Sequence, residues 1–208
     1  MDGYVSGPMT KLYLARHGET DWNLEHRWQG HADPPLNETG RAQARMLGGL
    51  IAGFGIESVW SSDLVRARET AEIVARGLGL VVRPDPRLRE VDVGEWSGLT
   101  MAEVEARFPA GAERRRAGGL GWERGETYES LASRSEEALL EVDALSAHRP
   151  VLVVTHGGVM RTARRLADCS LADWLRIGNC ELDVIEVREG RMRWLDSTRG
   201  GLHQQVQG

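Results

Sequence analysis

LYLARHG, residues 12–18, is a run of four apolar residues cut short by an arginine, a histidine and a glycine. Its counterpart lies far along the chain: VLVVTHG, residues 151–157, again four apolar residues, one polar residue, a histidine and a glycine. An apolar run of this length suits a parallel strand buried on both faces. Two such strands in one parallel sheet would bring His17 and His156 to the same C-terminal edge, where open α/β sheets bind their ligands. Burying arginine and histidine there without partners costs several kcal/mol. Something must be held between them.

The rest of the chain is compatible with that sheet. Its 208 residues suit one domain with a substantial core, and 41% hydrophobic against 27% charged residues is the balance of a soluble globular protein. Apolar runs and amphipathic segments alternate. Strands are expected at 11–15, 57–60, 80–82, 151–154, 181–188 and 191–195, the last two flanking a turn at Glu189-Gly190. Helices are expected from 36–40 to Ala52 with Ala42, Met46, Leu47, Leu50 and Ile51 on one face, and from Asp63 to Gly77, with Ser61 or Ser62 as cap and Gly77 or Gly79 as stop. Further helices are expected over 100–108, 127–148 (Leu131, Leu139, Val142 and Leu145 inward) and 159–167. Such alternation predicts a single three-layer α/β/α domain with a mainly parallel central sheet. Residues 1–10 read as a loose extension, 11–200 as the domain and 201–208 as a tail. The Gly- and Arg-rich stretch 109–125 reads as a surface loop or lid, part of a lid region of about 100–126.

Charge and cysteine content narrow the classes of function. A net charge of −5 argues against a nucleic-acid partner. No apolar run approaches the length needed to cross a bilayer, and MDGYVSGPMT carries no signal core, so a cytoplasmic protein with no membrane partner is expected. Cys169 and Cys180 form no metal pattern and read as reduced thiols, although the two could pair. His31 and Asp33 lack a third ligand, so no metal site is assigned. Lys11 is the only lysine among 26 cations, a bias that reads mainly as coding composition. Whether the chain is a monomer or a homodimer is open at this level.

A third segment adds to the sheet edge. SSDLVRARETA, residues 61–71, follows an expected strand and places Arg66 near the first turn of a helix. Arg16, Arg66, His17, His156 and the start of the helix that follows Gly157-Gly158 would then gather at one edge. Gly18 and Gly157 would let backbone N–H groups approach a ligand, and a helix N-terminus favours an anion. Dense positive charge with many donors suits phosphate.

With RHGETDWN (16–23), QGHADPPLNETGRAQA (29–44), SSDLVRARETA (61–71), LREVDVGEWSG (88–98) and VVTHGGVMR (153–161) in this order, the chain resembles the histidine phosphatase superfamily, the phosphoglycerate mutase-like fold. The resemblance runs from Leu12 to about Val187 and looks closest to the small bacterial phosphatases. It implies that His17 is the nucleophile of a phosphohistidine intermediate. Arg16, Arg66 and His156 would hold the phosphoryl oxygens, with Asn23 as a neutral donor and Gly157 and Gln29 as further pocket residues. Glu90 would be the acid that protonates the leaving alcohol. Composition alone does not choose among Glu90, Asp92 and Glu95; the family pattern selects Glu90. No cofactor and no metal are implied. Thr155 and Arg161 read as structural, and Arg114-Arg115-Arg116 as a solvated charged face.

With 65 residues between Glu90 and His156, the segment that would exclude water is short, which favours hydrolysis of a small phosphorylated metabolite over mutase-type phosphoryl transfer. A phosphoprotein-binding module or protein phosphatase is the other alternative, but a pure binding module would tolerate loss of His17 or Glu90. Trp22, Trp28, Trp96 and Trp122 fall near the expected pocket, either as loop anchors or as an apolar wall.

Overall fold

The computed structural model describes residues 8–168 and 177–197. Cys169, most of the expected N-terminal extension and the tail at 201–208 lie outside the described residues. In chain order the elements are β1 (Thr10–Arg16), α1 (Asp21–Leu24), α2 (Glu38–Ile51), β2 (Ser58–Ser61), α3 (Val65–Leu78), β3 (Val82–Pro84), α4 (Met101–Arg107), α5 (Pro109–Arg116), α6 (Tyr128–Leu145), β4 (Val151–Thr155), α7 (Gly157–Leu166), β5 (Leu182–Arg188) and β6 (Arg191–Ser197). Short 3-10 turns cover Pro86–Leu88 and Gly94–Trp96. Thr10, expected in the extension, is the fully buried first residue of β1.

The sheet order is β3-β2-β4-β1-β5-β6. β3, β2, β4 and β1 are parallel, and β5 and β6 continue the sheet antiparallel. Alternation along the strands sorts the core into two layers. Leu12, Leu14, Val151 and Val153 join Leu139, Val142, Val159 and Met160 on the α6–α7 face. Tyr13, Ala15, Leu152 and Val154 join Leu47, Ile51, Ala71 and Val74 on the α2–α3 face. A sandwich of this kind makes uninterrupted apolar strands necessary, because both faces of β1 and β4 are dry. Among the described residues, no helix is long and apolar enough to cross a membrane.

Several elements differ from expectation for physical reasons. α3 is capped from outside: Leu64 is the N-cap and offers no side-chain bond, while Asp33 Oδ1 accepts the Val65 N–H at 2.6 Å. Ser62 Oγ accepts the Leu64 N–H, one residue short of the helix. Gly79, in the left-handed region at φ 70°, ends the helix, and Gly77 lies within it. The strand expected at 80–82 runs instead from Val82 to Pro84, which an edge strand tolerates because Pro has no ladder donor to lose. On α2 the inward face is Gly40, Gln43, Ala44, Leu47 and Ile51, and Leu50 is exposed. The stripe is set by a polar contact, since Gln43 Oε1 accepts the Glu19 N–H at 2.9 Å. Leu145, expected inward on α6, is 55% exposed in the last turn.

The stretch expected as a loop contains helix α5. Pro109 occupies its first turn, where a missing N–H costs nothing, and Gly111 and Ala112 are buried. The cap is held by an edge-to-face stack of Trp28, Trp96, Trp122 and Tyr128, with centroids 5.4 to 6.1 Å apart. Trp96 and Trp122 are therefore core anchors rather than pocket walls. The Glu95 carboxylate accepts the N–H groups of Glu123 and Arg124, tying the far side of the cap to the turn at Gly94.

Candidate active site

Arg16 pairs with Thr155 in the β1–β4 register, so the next residues, His17 and His156, leave the two strands side by side. The His17 N–H donates to the Thr155 carbonyl at 2.9 Å, and the two ring centroids are 5.2 Å apart. His17 Nδ1 lies 2.7 Å from the Gly18 carbonyl. A carbonyl only accepts, so the ring proton sits on Nδ1 and Nε2 keeps its lone pair. Burial, reinforced by the positive charges of Arg66 and Arg16, holds His17 well below the usual histidine range. It is neutral at pH 7. His17 lines a cavity of about 590 Å3, together with Arg16, Asn23, Gln29, Arg66, Glu90, Arg161 and Asn179.

Arg66, in the first turn of α3, is fully buried. Its two terminal nitrogens donate to the carbonyls of Ala32 (2.7 Å) and Gly30 (2.9 Å), which fixes the plane of the guanidinium, while Nε has no partner. Burial lowers its pKa to about 10, so it stays charged at neutral pH. Arg16 Nη1 donates to the Ile177 carbonyl at 2.6 Å. Two anchored guanidiniums thus face the bare nitrogen of a neutral imidazole.

Glu90 approaches from the cap side. One carboxylate oxygen accepts the N–H groups of Val91 (2.9 Å) and Gly158 (3.0 Å), the latter at the N-terminus of α7. A methyl group on Gly158 would lie 2.0 Å from that oxygen, so only glycine leaves room for the carboxylate. Asp92 spends its carboxylate on the Gly94 N–H and Glu95 on the cap. Of the three acids, only Glu90 lines the cavity.

Not every expected pocket residue reaches the cavity wall. His156 is fully buried behind His17, with both ring nitrogens unpartnered, and its pKa is also held down by burial and by Arg66. Gly157 is the first residue of α7 and is covered by the Arg161 guanidinium rather than open to the cavity. Asn23 lines the cavity, with Oδ1 engaged by Thr20 in the capping box of α1. Gln29 Nε2 donates to Thr20 Oγ1, and its Oε1 is buried without a partner. His31 Nε2 meets the Glu90 carbonyl at 2.8 Å and Asp33 caps α3, so His31 positions the Glu90 backbone.

Three residues escape sequence reasoning. Asn179 Nδ2 donates to the His17 carbonyl at 3.0 Å and lies 3.3 Å from Asn23 Oδ1, linking the end of β1 to helix α1. Arg134 on α6 donates to the carbonyls of Arg87, Arg89 and Glu90 and pairs with Glu126 at 2.6 Å, holding the turn that carries Glu90. Arg161, read as structural, is on the cavity wall. Nothing local marks the first two, since the carbonyls they hold lie far away in sequence.

The buried histidines predict a specific acid sensitivity. In the unfolded chain both titrate near pH 6.5, and in the folded protein they titrate lower, so the unfolded state binds more protons as the pH falls. Their contribution is complete above about pH 6.5 and drains away below it, by at most about 1.4 kcal/mol per histidine per pH unit. The melting temperature should drop between pH 7.5 and 5.5, and His156→Gln, starting lower, should lose less over that interval. Parallel losses in the two proteins would count against this origin.

Comparison with known proteins gives a consistent picture. A model of the histidine phosphatase superfamily (branch 1) matches residues 12–198. The chain is 36% identical over 185 residues to a glucosyl-3-phosphoglycerate phosphatase of Mycobacterium tuberculosis, covering 81% of this chain and 80% of that one. It is 35% identical over 200 residues to a probable phosphoglycerate mutase of Salmonella, covering 91% and 89%. Among solved structures, the mycobacterial glucosyl-3-phosphoglycerate phosphatase complexed with VO3 superposes with a TM-score of 0.77 at 32% identity, covering 89% of this chain and 96% of that one.

Proposed function

The chain belongs to the histidine phosphatase superfamily, branch 1, and from that premise we propose that it hydrolyses a small organic phosphate monoester through a phosphohistidine at His17. The observation that carries this reading is the state of His17: neutral, with Nδ1 tied to the Gly18 carbonyl, Nε2 free, and two anchored arginines beside it. Nε2 attacks phosphorus as the ester oxygen leaves. Arg16 and Arg66 offset the charge on the phosphoryl oxygens, and His156 offers a neutral donor from beneath. Glu90 gives its proton to the departing alcohol and then takes one from the water that opens the phosphohistidine. Asn23 and Gln29 shape the pocket around the transferring group.

The relatives support a small substrate: one is named for glucosyl-3-phosphoglycerate, another as a probable mutase. Phosphoryl transfer between positions of one molecule is the second reading, favoured by that second name.

An aryl phosphate should be hydrolysed in excess chelator at the rate seen without it. Protein quenched in base during turnover should carry an acid-labile, base-stable phosphate on His17. Label on another residue would overturn the nucleophile assignment. Phosphohistidine without net phosphate release, with 3-phosphoglycerate isomerised instead, would select the mutase reading.

A further inference from the structure

Glu90 follows the 3-10 turn at Pro86–Leu88, and each carbonyl from Arg87 to Glu90 meets a side chain. Thr155 Oγ1 donates to that of Leu88 at 2.8 Å, and His31 Nε2 meets that of Glu90 at 2.8 Å. The remaining contacts come from one residue. Arg134, on α6, gives Nη1 to the carbonyls of Arg87 and Arg89, both at 2.7 Å, and Nη2 to that of Glu90 at 2.9 Å. Its Nε and Nη2 also reach the two oxygens of Glu126, each at 2.6 Å. A guanidinium carries five N–H donors in one plane, and here all five are engaged, three on the turn and two on one carboxylate.

Glu126 orients this fork and joins it to the cap. Its own N–H donates to the Asp92 carbonyl at 2.9 Å, and its carbonyl accepts the indole N–H of Trp122, a member of the aromatic stack. The backbone is thus gripped on both sides of Glu90. Three carbonyl oxygens turned toward one point repel one another unless a cation stands among them, so the turn holds its shape only with the guanidinium in place. The Glu90 carboxylate accepts from the Val91 and Gly158 N–H groups, but those bonds form only where the turn delivers the side chain. Arg134 and Glu126 do not line the cavity. Whatever they contribute to the reaction passes through Glu90.

We propose that Arg134, oriented by Glu126, is a positioning residue for the proton transfer: by holding three carbonyls of the turn from outside, it sets where the Glu90 carboxyl stands against the leaving-group oxygen. The proposal rests on the phosphatase reading, in which Glu90 is the acid. Arg134→Gln should lower kcat for glycerol 3-phosphate roughly tenfold or more while 4-nitrophenyl phosphate stays within about threefold, because a nitrophenolate leaves without a proton. Inorganic phosphate should inhibit the variant with a Ki within about twofold of wild type, since the phosphoryl-binding groups are untouched. The melting temperature should fall, Glu126 having lost its cation, but loss of stability alone does not distinguish between the two esters. In a Glu90→Gln background, Arg134→Gln should cost less than about twofold more on glycerol 3-phosphate, as expected of a residue that acts through Glu90. The positive charge of Arg134 also reaches His156. Arg134→Lys keeps that charge with three donors in place of five, so it should show the same split at an intermediate size.

Equal slowing of the two esters by Arg134→Gln would overturn the proposal and leave Arg134 a purely structural residue. Losses that multiply with those of Glu90→Gln would overturn it too, as would Arg134→Lys behaving like wild type, which would assign the effect to charge at His156. Should Arg134→Gln melt too low to assay, the lysine variant carries the same comparison. Glu90→Gln separates the proposal from the reading beneath it. A split there without one in Arg134→Gln would strike the proposal alone, whereas no split in Glu90→Gln would strike the acid assignment and the proposal together.

Discussion

His17→Ala should lower the rate of aryl phosphate hydrolysis by about 10^4-fold or more, the scale on which loss of a nucleophile acts in covalent catalysis. The fold should survive the change. The ring's hydrogen bond is to its own neighbour, Gly18, and the backbone bonds of His17 to Thr155 and Asn179 do not involve the side chain. What disappears is a neutral imidazole with a free Nε2 held against two guanidiniums; the other imidazole lining the cavity among the described residues, His26, is solvent-exposed. Phosphate release and the melting temperature, measured together, separate chemistry from folding. A residual rate above about one per cent of wild type would mean that the attacking group lies elsewhere.

Replacing Glu90 with glutamine should slow alkyl phosphates by about 10^2- to 10^4-fold and aryl phosphates far less, because a phenolate leaves without a proton. Glutamine preserves the size of the side chain and its acceptor for the Val91 and Gly158 N–H groups, so the loss isolates the proton. Gly158→Ala should reproduce the same split in milder form, since its methyl would occupy the place of the Glu90 carboxylate oxygen. Rates measured across a series of leaving groups decide the matter. Uniform slowing of aryl and alkyl esters would reduce Glu90 to a positioning residue.

Much of this could be read from the chain because burial writes itself into local pattern. The four apolar residues before His17 and before His156 exist because β1 and β4 are covered on both faces, and the polar residue, histidine and glycine that follow mark where the cover ends. Arg66 was legible for a similar reason, lying a fixed step beyond a strand. Groups that act across the chain were not. Asp33 caps a helix 32 residues away, Arg134 grips three carbonyls of a turn, and Asn179 reaches back to His17, yet each looks like an ordinary surface residue in its own neighbourhood. Helix α5 was hidden because its burial rests on two small residues, Gly111 and Ala112, against a wall of tryptophan supplied from elsewhere. The start of α7 differs for another reason: the helix begins at Gly157, two residues before the expected start, so that Arg161 lies back over the helix end.

The pairing of β1 with β4 also bears on how the protein comes into being. Arg16 and Thr155 are register partners although 138 residues lie between them, so the central strand pair is among the most distant contacts in the chain. Contacts of that span close slowly, since the intervening chain must surrender its freedom first. During synthesis β1 emerges early and stays without its parallel neighbour until Val151–Thr155 has been made. The unpaired edge of LYLAR is then an invitation to wrong partners, and a chain interrupted before that point holds His17 without His156, half a pocket and no way to complete it.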